Sequence, residues 1–141
     1  MDAIYTAKAT VQGGREGRVT SSDGAIQLDL SMPKELGGAG GSGTNPEQLF
    51  AAGYAACYES ALKLVARQQD TKVGETQITS QVTIGHDPSG GYKLEVQLDV
   101  KIPGVELDVA KQLIQAAHQA CPYSKATRGN IDVHIRVVKE A

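Results

Sequence analysis

The chain has 141 residues, 40% of them hydrophobic and 21% charged, which is the composition of one soluble globular domain and not of a disordered or fibrous segment. A net charge of −2 with acids and bases mixed, and with no basic block, excludes a phosphate-backbone footprint. The absence of Trp and the single Phe argue against a base-stacking surface, so nucleic acid is not an expected partner.

A chain of this length buries about two-thirds of the surface its unfolded form exposes, so a single domain over residues 1–141 needs no staple to hold its core. The longest apolar stretch, Leu49 to Val65, is interrupted by Glu59 and Lys63, and Met1 to Thr10 lacks a signal-peptide apolar region. A cytoplasmic protein without a membrane partner is expected. In that reducing compartment two cysteines are more often catalytic, redox-active or simply buried than structurally bridged.

Ile4 to Val11 and Arg18 to Leu30 alternate as strands, joined by Gly13-Gly14-Arg15-Glu16-Gly17 and by Ser22-Asp23-Gly24, which predicts a three-stranded meander. A loop with five glycines between Gly37 and Gly43 precedes Thr44-Asn45-Pro46-Glu47. That tetrad combines candidate N-caps, Pro at the first helical position and an acid in the first turn, so a helix starts there. Apolar or small residues at Phe50, Tyr54, Cys57, Ala61, Leu64 and Val65 carry it to about Gln69. Its first half is built from small side chains on nearly every face, which reads as a central buried helix.

Gln77 to Gly85 and Tyr92 to Ile102 form a hairpin around His86-Asp87-Pro88-Ser89-Gly90-Gly91. A second helix runs from Asp108 to about Ala120, with Pro122 setting its end and Cys121 at the boundary. The strand Ile131 to Val137 closes the chain. This order of elements predicts an α+β fold with antiparallel sheets and excludes a doubly wound parallel one.

Gly38-Ala39-Gly40-Gly41-Ser42-Gly43 matches the dinucleotide fingerprint, but its context fails. The preceding strand ends near Leu30 with Pro33 between, no parallel strand follows closely, and Glu59, the acid at suitable distance, lies inside a helix. His86, His118 and His134 form no ligand set of recognisable spacing, so no metal is expected. His118, three residues before Cys121, keeps a Cys-His nucleophile pair open as an alternative, and a binding protein with inert cysteines is another.

Taken alone, Cys57 on an apolar stripe reads as a small inert hydrophobe. To act as a nucleophile it needs help, because a free thiol has a pKa of about 8.5 and burial raises it. Cys57 lies about three turns into its helix, beyond the reach of the helix dipole, so a cationic side chain must stabilise the thiolate. Arg15, on its glycine-flanked turn, is the best candidate and Arg18 the second. Glu47 could hold Arg15 by bidentate pairing, or serve only as a first-turn carboxylate. Ten residues of helix place Glu47 about 15 Å of rise from Cys57. Either the helix breaks near Gly53, or a second subunit brings its own Arg15 and Glu47 to the thiol.

The runs Gly13 to Arg18, Glu35 to Gly38, Thr44 to Tyr54 leading to Cys57, Ala117 to Ser124, and Ala126 to Val133 together resemble the organic hydroperoxide resistance proteins. These are a branch of the superfamily that also contains osmotically inducible protein C. The resemblance spans nearly the whole chain. It implies a peroxidase in which Cys57 attacks the peroxide, becomes a sulfenic acid and condenses with Cys121 to an intramolecular disulfide, with Arg15 and Glu47 as partners. It further implies an intertwined homodimer with sites at the subunit interface and a preference for alkyl and fatty-acid hydroperoxides. No bound cofactor is implied, and regeneration is by an external dithiol, typically lipoyl groups on other proteins.

Overall fold

The N-terminal alternation produces a meander of three short antiparallel strands, β1 (Ala9–Gln12), β2 (Arg18–Ser21) and β3 (Gln27–Asp29), in the order β1-β2-β3. The structure, a computed structural model, describes residues 1–139, so the last two residues of the expected domain lie outside the described ones. Its chain divides into two compact units, Met1–Leu49 and the part from Phe50 onward.

In the first unit, pairing of β1 begins at Ala9, with Ala9 opposite Ser21, so the strand starts later than Ile4. Ile4 and Tyr5 carry the alternation further upstream but are exposed and have no ladder partner. Alternation shows which residues suit a strand, whereas pairing needs a neighbour. Val19 and Leu30 are the buried apolar side chains here. The glycine-rich segment does not follow a strand directly: β3 ends at Asp29, and a 3-10 turn, Lys34–Leu36, intervenes. Its amides are used internally, Gly38 N–H on the Pro33 carbonyl at 3.0 Å and Gly40 N–H on the Met32 carbonyl at 3.0 Å.

Helix α1 (Pro46–Gln68) is one unbroken element, so the break considered near Gly53 does not occur. Its start follows from its capping residues. The Asn45 side-chain oxygen accepts the Gln48 backbone N–H at 2.8 Å, and Pro46 needs no donor partner at the first position.

In the second unit the buried stripe of α1 is Tyr54, Tyr58, Ala61, Leu62, Val65 and Ala66. Leu64, expected inward, is exposed, as are Ala52 and Ala56, so within one chain α1 buries one face and not all of them. Strands β4 (Gln77–His86) and β5 (Tyr92–Lys101) form the expected hairpin. Asp87 fixes its turn, its backbone N–H donating to the Gly91 carbonyl and its carboxylate accepting the Ser89 N–H at 3.0 Å.

Helix α2 (Leu107–Ala120) is followed at once by α3 (Pro122–Thr127), and the chain then enters β6 (Val133–Val137). The expected α+β fold with antiparallel sheets is present, with one pairing corrected: β6 pairs with β5 in parallel, Val96 opposite Val133 and Val100 opposite Val137. A parallel partner needs a crossover of about a dozen residues or more, and the two helices supply it.

The core joins Tyr54, Tyr58 and Leu62 of α1, Val96, Leu98 and Val100 of β5, and Leu113, Ile114 and Ala117 of α2. Each fully buried aliphatic side chain contributes about 1.5–3 kcal/mol, and truncating Leu62 to Ala would cost about 2–5 kcal/mol. Among the described residues, no helix is long and apolar enough to cross a membrane.

Candidate active site

Two clusters contain the residues singled out from the sequence, one in each unit. In the first, Arg15 sits in a 3-10 turn, Gly14–Glu16, entered through Gly13 at φ 89° and Gly14 at φ 58°. Glycine adopts two such angles in succession at no steric cost. At Gly17 an added Cβ would run into the Gln12 carbonyl, so the turn closes only with glycine.

The turn presents Arg15 edge-on to Glu47. Nη1 donates to Oε1 at 2.6 Å and Nη2 to Oε2 at 3.1 Å, with side-chain exposures of 30% and 15%. This is the bidentate fork that planar guanidinium and carboxylate groups favour. The Glu47 hydrogen bond raises the Arg15 pKa above its ordinary value, with desolvation opposing it. Arg18, the second candidate, instead pairs across the ladder with Asp29 at 2.8 Å, both side chains exposed. It stands as an exposed charge on the hairpin in this chain.

In the second unit, Cys57 of α1 is half-buried and Cys121 is 0% exposed. The Cys121 thiol points at the Cys57 sulphur, 3.7 Å away, and both are free thiols. Cys121 ends α2 and begins α3: its N–H donates to the Ala117 carbonyl at 2.8 Å, and its carbonyl accepts the Lys125 N–H at 3.0 Å. Burial pushes the Cys57 thiol above its ordinary pKa, the Tyr123 backbone N–H pulls it down, and Cys121 pushes it up again.

His118 does not join the thiols. Cys121 directs its thiol at Cys57, while His118 Nδ1 is buried without a hydrogen-bond partner. Burial and then the Arg128 charge push its pKa below the ordinary imidazole value. His86 stacks on Tyr92 at 4.9 Å between ring centroids. Glu59, the acid weighed with the dinucleotide fingerprint, accepts the Thr76 hydroxyl at 2.8 Å. Among the described residues no three His, Cys, Asp or Glu side chains gather as a metal site.

Sequence reasoning missed the side chains around the thiols. Tyr54, Ser124 and Thr127 form a buried hydroxyl cluster, and Phe50, Tyr54 and Tyr123 form an aromatic one. The signal available was Pro122, which fits the first position of a new helix as well as the end of the old one.

Known proteins share this architecture. The family model described as OsmC-like protein matches residues 38–136. The organic hydroperoxide resistance protein of Xanthomonas axonopodis pv. citri is 58% identical over 131 residues, 92% of each chain. The organic hydroperoxide resistance protein OhrB of Bacillus subtilis is 48% identical over 136 residues, 96% of this chain and 98% of that one. The crystal structure of an organic hydroperoxide resistance protein from Elizabethkingia anophelis superposes with a TM-score of 0.93 at 50% identity, covering 99% of this chain and 100% of the other. With these matches over almost its full length, the chain belongs to the OsmC-like family, among the organic hydroperoxide resistance proteins.

Proposed function

We propose that the protein is a thiol-dependent peroxidase that reduces organic hydroperoxides, of alkyl and fatty-acid type, to alcohols and so defends the cytoplasm against them. The observation that carries this reading is the pair of free thiols 3.7 Å apart with unequal exposure. The half-buried sulphur is the one a substrate reaches, and the buried one is its captor.

The Cys57 thiolate attacks the terminal peroxide oxygen. The O–O bond breaks, the alkoxide takes a proton and leaves as alcohol, and Cys57 becomes a sulfenic acid. Cys121 attacks that sulphur, water leaves, and a disulfide forms before over-oxidation. An external dithiol, such as a dihydrolipoyl group on a partner protein, reduces the bridge and is oxidised to its own cyclic disulfide. The protein itself holds no cofactor in this scheme.

Since burial raises the Cys57 pKa, a cation must favour the thiolate and the developing negative charge. Arg15 is that cation in our reading, and Glu47 orients it through the fork. An unbroken α1 supports the second of the two routes, in which a second subunit delivers its own Arg15 and Glu47 to the thiol. An intertwined homodimer, each chain acting as a single functional domain, is thus part of the proposal. The exposed apolar side chains Ile4, Tyr5, Val11 and Leu28 support it, because a partner would cover them.

The test is dithiol-dependent turnover with cumene hydroperoxide, a fatty-acid hydroperoxide and hydrogen peroxide. Wild type should prefer the organic peroxides and Cys57→Ser should not turn over. Equal rates for the two proteins would refute the function.

A further inference from the structure

Cys121 sits at a junction that one helix alone does not fix. It ends α2 and is the N-cap of α3, which has six residues, so the buried thiol is placed by α2 on one side and by wherever α3 is held on the other. A helix under two turns has no independent stability, and its placement must come from tertiary contacts.

Beside its packing on α2, the buried polar contacts of α3 run to Tyr54, three residues before Cys57 and on the same face of α1. Tyr54 and Ser124 are both 0% exposed, and Thr127 is buried beside them. The Tyr54 hydroxyl lies 2.8 Å from Ser124 Oγ and 3.1 Å from Thr127 Oγ1, and Thr127 Oγ1 donates to the Ser124 carbonyl at 3.2 Å. Each hydroxyl has one proton, so the direction of the network follows. Thr127 gives its proton to the carbonyl, Tyr54 therefore donates to Thr127, and Ser124 donates to Tyr54.

The neighbouring residue adds a contact. A Cβ on Gly53 would come within 2.7 Å of the Tyr123 hydroxyl, so the Tyr123 ring of α3 packs directly on the bare backbone of α1.

Packing alone does not explain three buried hydroxyls. Apolar residues of similar volume serve a core at least as well, whereas a fully satisfied hydroxyl circuit imposes direction and allows one arrangement. The nearby Tyr58 supplies a contrast, because its hydroxyl bonds the Ile114 carbonyl of α2 at 2.8 Å and, among the described residues, makes no hydrogen bond to α3.

We infer that the Tyr54-Ser124-Thr127 circuit is a positioning device that keeps Cys121 aligned behind Cys57 and so sets the rate of disulfide closure, not the rate of peroxide attack. This rests on the peroxidase reading and deepens it. Closure brings the sulphurs from 3.7 Å to the roughly 2.0 Å of a disulfide, a short approach that succeeds before a second peroxide arrives only if α3 starts in register. The electron balance is unchanged. Cys121 displaces water from the Cys57 sulfenic acid, and the competing reaction is oxidation of that sulfenic acid by another hydroperoxide to sulfinic acid.

The test compares Tyr54→Phe, Ser124→Ala and Tyr58→Phe with wild type in two measurements. Rapid-mixing consumption of the first equivalent of cumene hydroperoxide reads attack by Cys57. Intact mass after graded peroxide excess reads the division between disulfide and sulfinic acid. Tyr54→Phe and Ser124→Ala should keep the first rate within about twofold and raise the sulfinic fraction about fivefold, the factor that one ordinary hydrogen bond carries. Tyr58→Phe should raise it less than twofold, and Ser124→Thr, which keeps a hydroxyl, should restore the wild-type division. An unchanged division in both Tyr54→Phe and Ser124→Ala, or an equal rise in Tyr58→Phe, overturns the inference. Should Tyr54→Phe fail to fold, the Ser124 pair of variants decides alone. A wild type that consumes no peroxide instead overturns the peroxidase reading, so the two failures are distinguishable.

Discussion

Arg15 meets Glu47 edge to edge, Nη1 on Oε1 at 2.6 Å and Nη2 on Oε2 at 3.1 Å, so two parallel bonds fix the plane of the guanidinium as well as its charge. A lysine at position 15 would keep the charge and lose the fork. If Arg15 favours the Cys57 thiolate, its removal raises the thiol pKa and leaves less thiolate at pH 7. Arg15→Ala should move the midpoint of Cys57 alkylation up by about one pH unit or more. Arg15→Lys and Glu47→Gln should fall between. An unmoved midpoint in Arg15→Ala would remove Arg15 from the site.

The unequal burial of the thiols predicts which sulphur accepts the reductant. Once the bridge has formed, Cys57 remains the accessible end, so an incoming thiolate bonds to Cys57 and Cys121 leaves. Oxidised protein mixed with a monothiol and quenched by an alkylating reagent should carry the adduct on Cys57 and the alkyl group on Cys121. Peptide mass mapping checks this, and the reverse labelling would contradict the assigned roles.

Gly53 opposes two effects of known size. Alanine in a helix interior gains about 1 kcal/mol over glycine, whereas forcing a methyl into a filled space costs about 1–3 kcal/mol. With Tyr123 Oη at 2.7 Å from the new Cβ, the second effect should win and Gly53→Ala should lose about 1 kcal/mol in urea unfolding. In a Tyr123→Ala background the same change should gain about 1 kcal/mol. Stabilisation in both backgrounds would show that the close approach carries no cost.

His118 predicts a pH dependence of stability. Burial first, then Arg128, push its pKa below the ordinary value, so between that value and the folded one the unfolded chain binds the extra proton. Stability is therefore fully present above about pH 6.5 and is lost as pH falls through the folded pKa. Wild type should lose stability between pH 7 and 5, and His118→Gln should lose less. Parallel losses in denaturant titrations would assign the effect elsewhere.

The parts of the fold carried by long periodic segments were legible in the sequence: α1, α2 and the β4-β5 hairpin lie within a residue or two of their expected ends. Helix α3 escaped because six residues are too few to show a period. The parallel direction of β6 escaped because one strand's pattern says nothing of its neighbour's direction, although the two intervening helices could have revealed it. Ile4 and Tyr5 misled, since they alternate like a strand without being paired. Arg15 stood out through its glycine-flanked turn, but its fork with Glu47 joins residues 32 apart. The hydroxyl circuit joins Tyr54 to residues 70 and 73 positions away, and no local pattern encodes that.

The most direct measurement is a titration of reduced protein with cumene or fatty-acid hydroperoxide, counting free thiols and intact mass together. The account predicts that one equivalent of peroxide removes both thiols and lowers the mass by two hydrogens, the bridge joining Cys57 and Cys121. Cys121→Ser should consume about one equivalent and then stall or over-oxidise at Cys57. Native protein whose two thiols survive excess hydroperoxide, or whose Cys57→Ser variant consumes peroxide as fast as wild type, would contradict it.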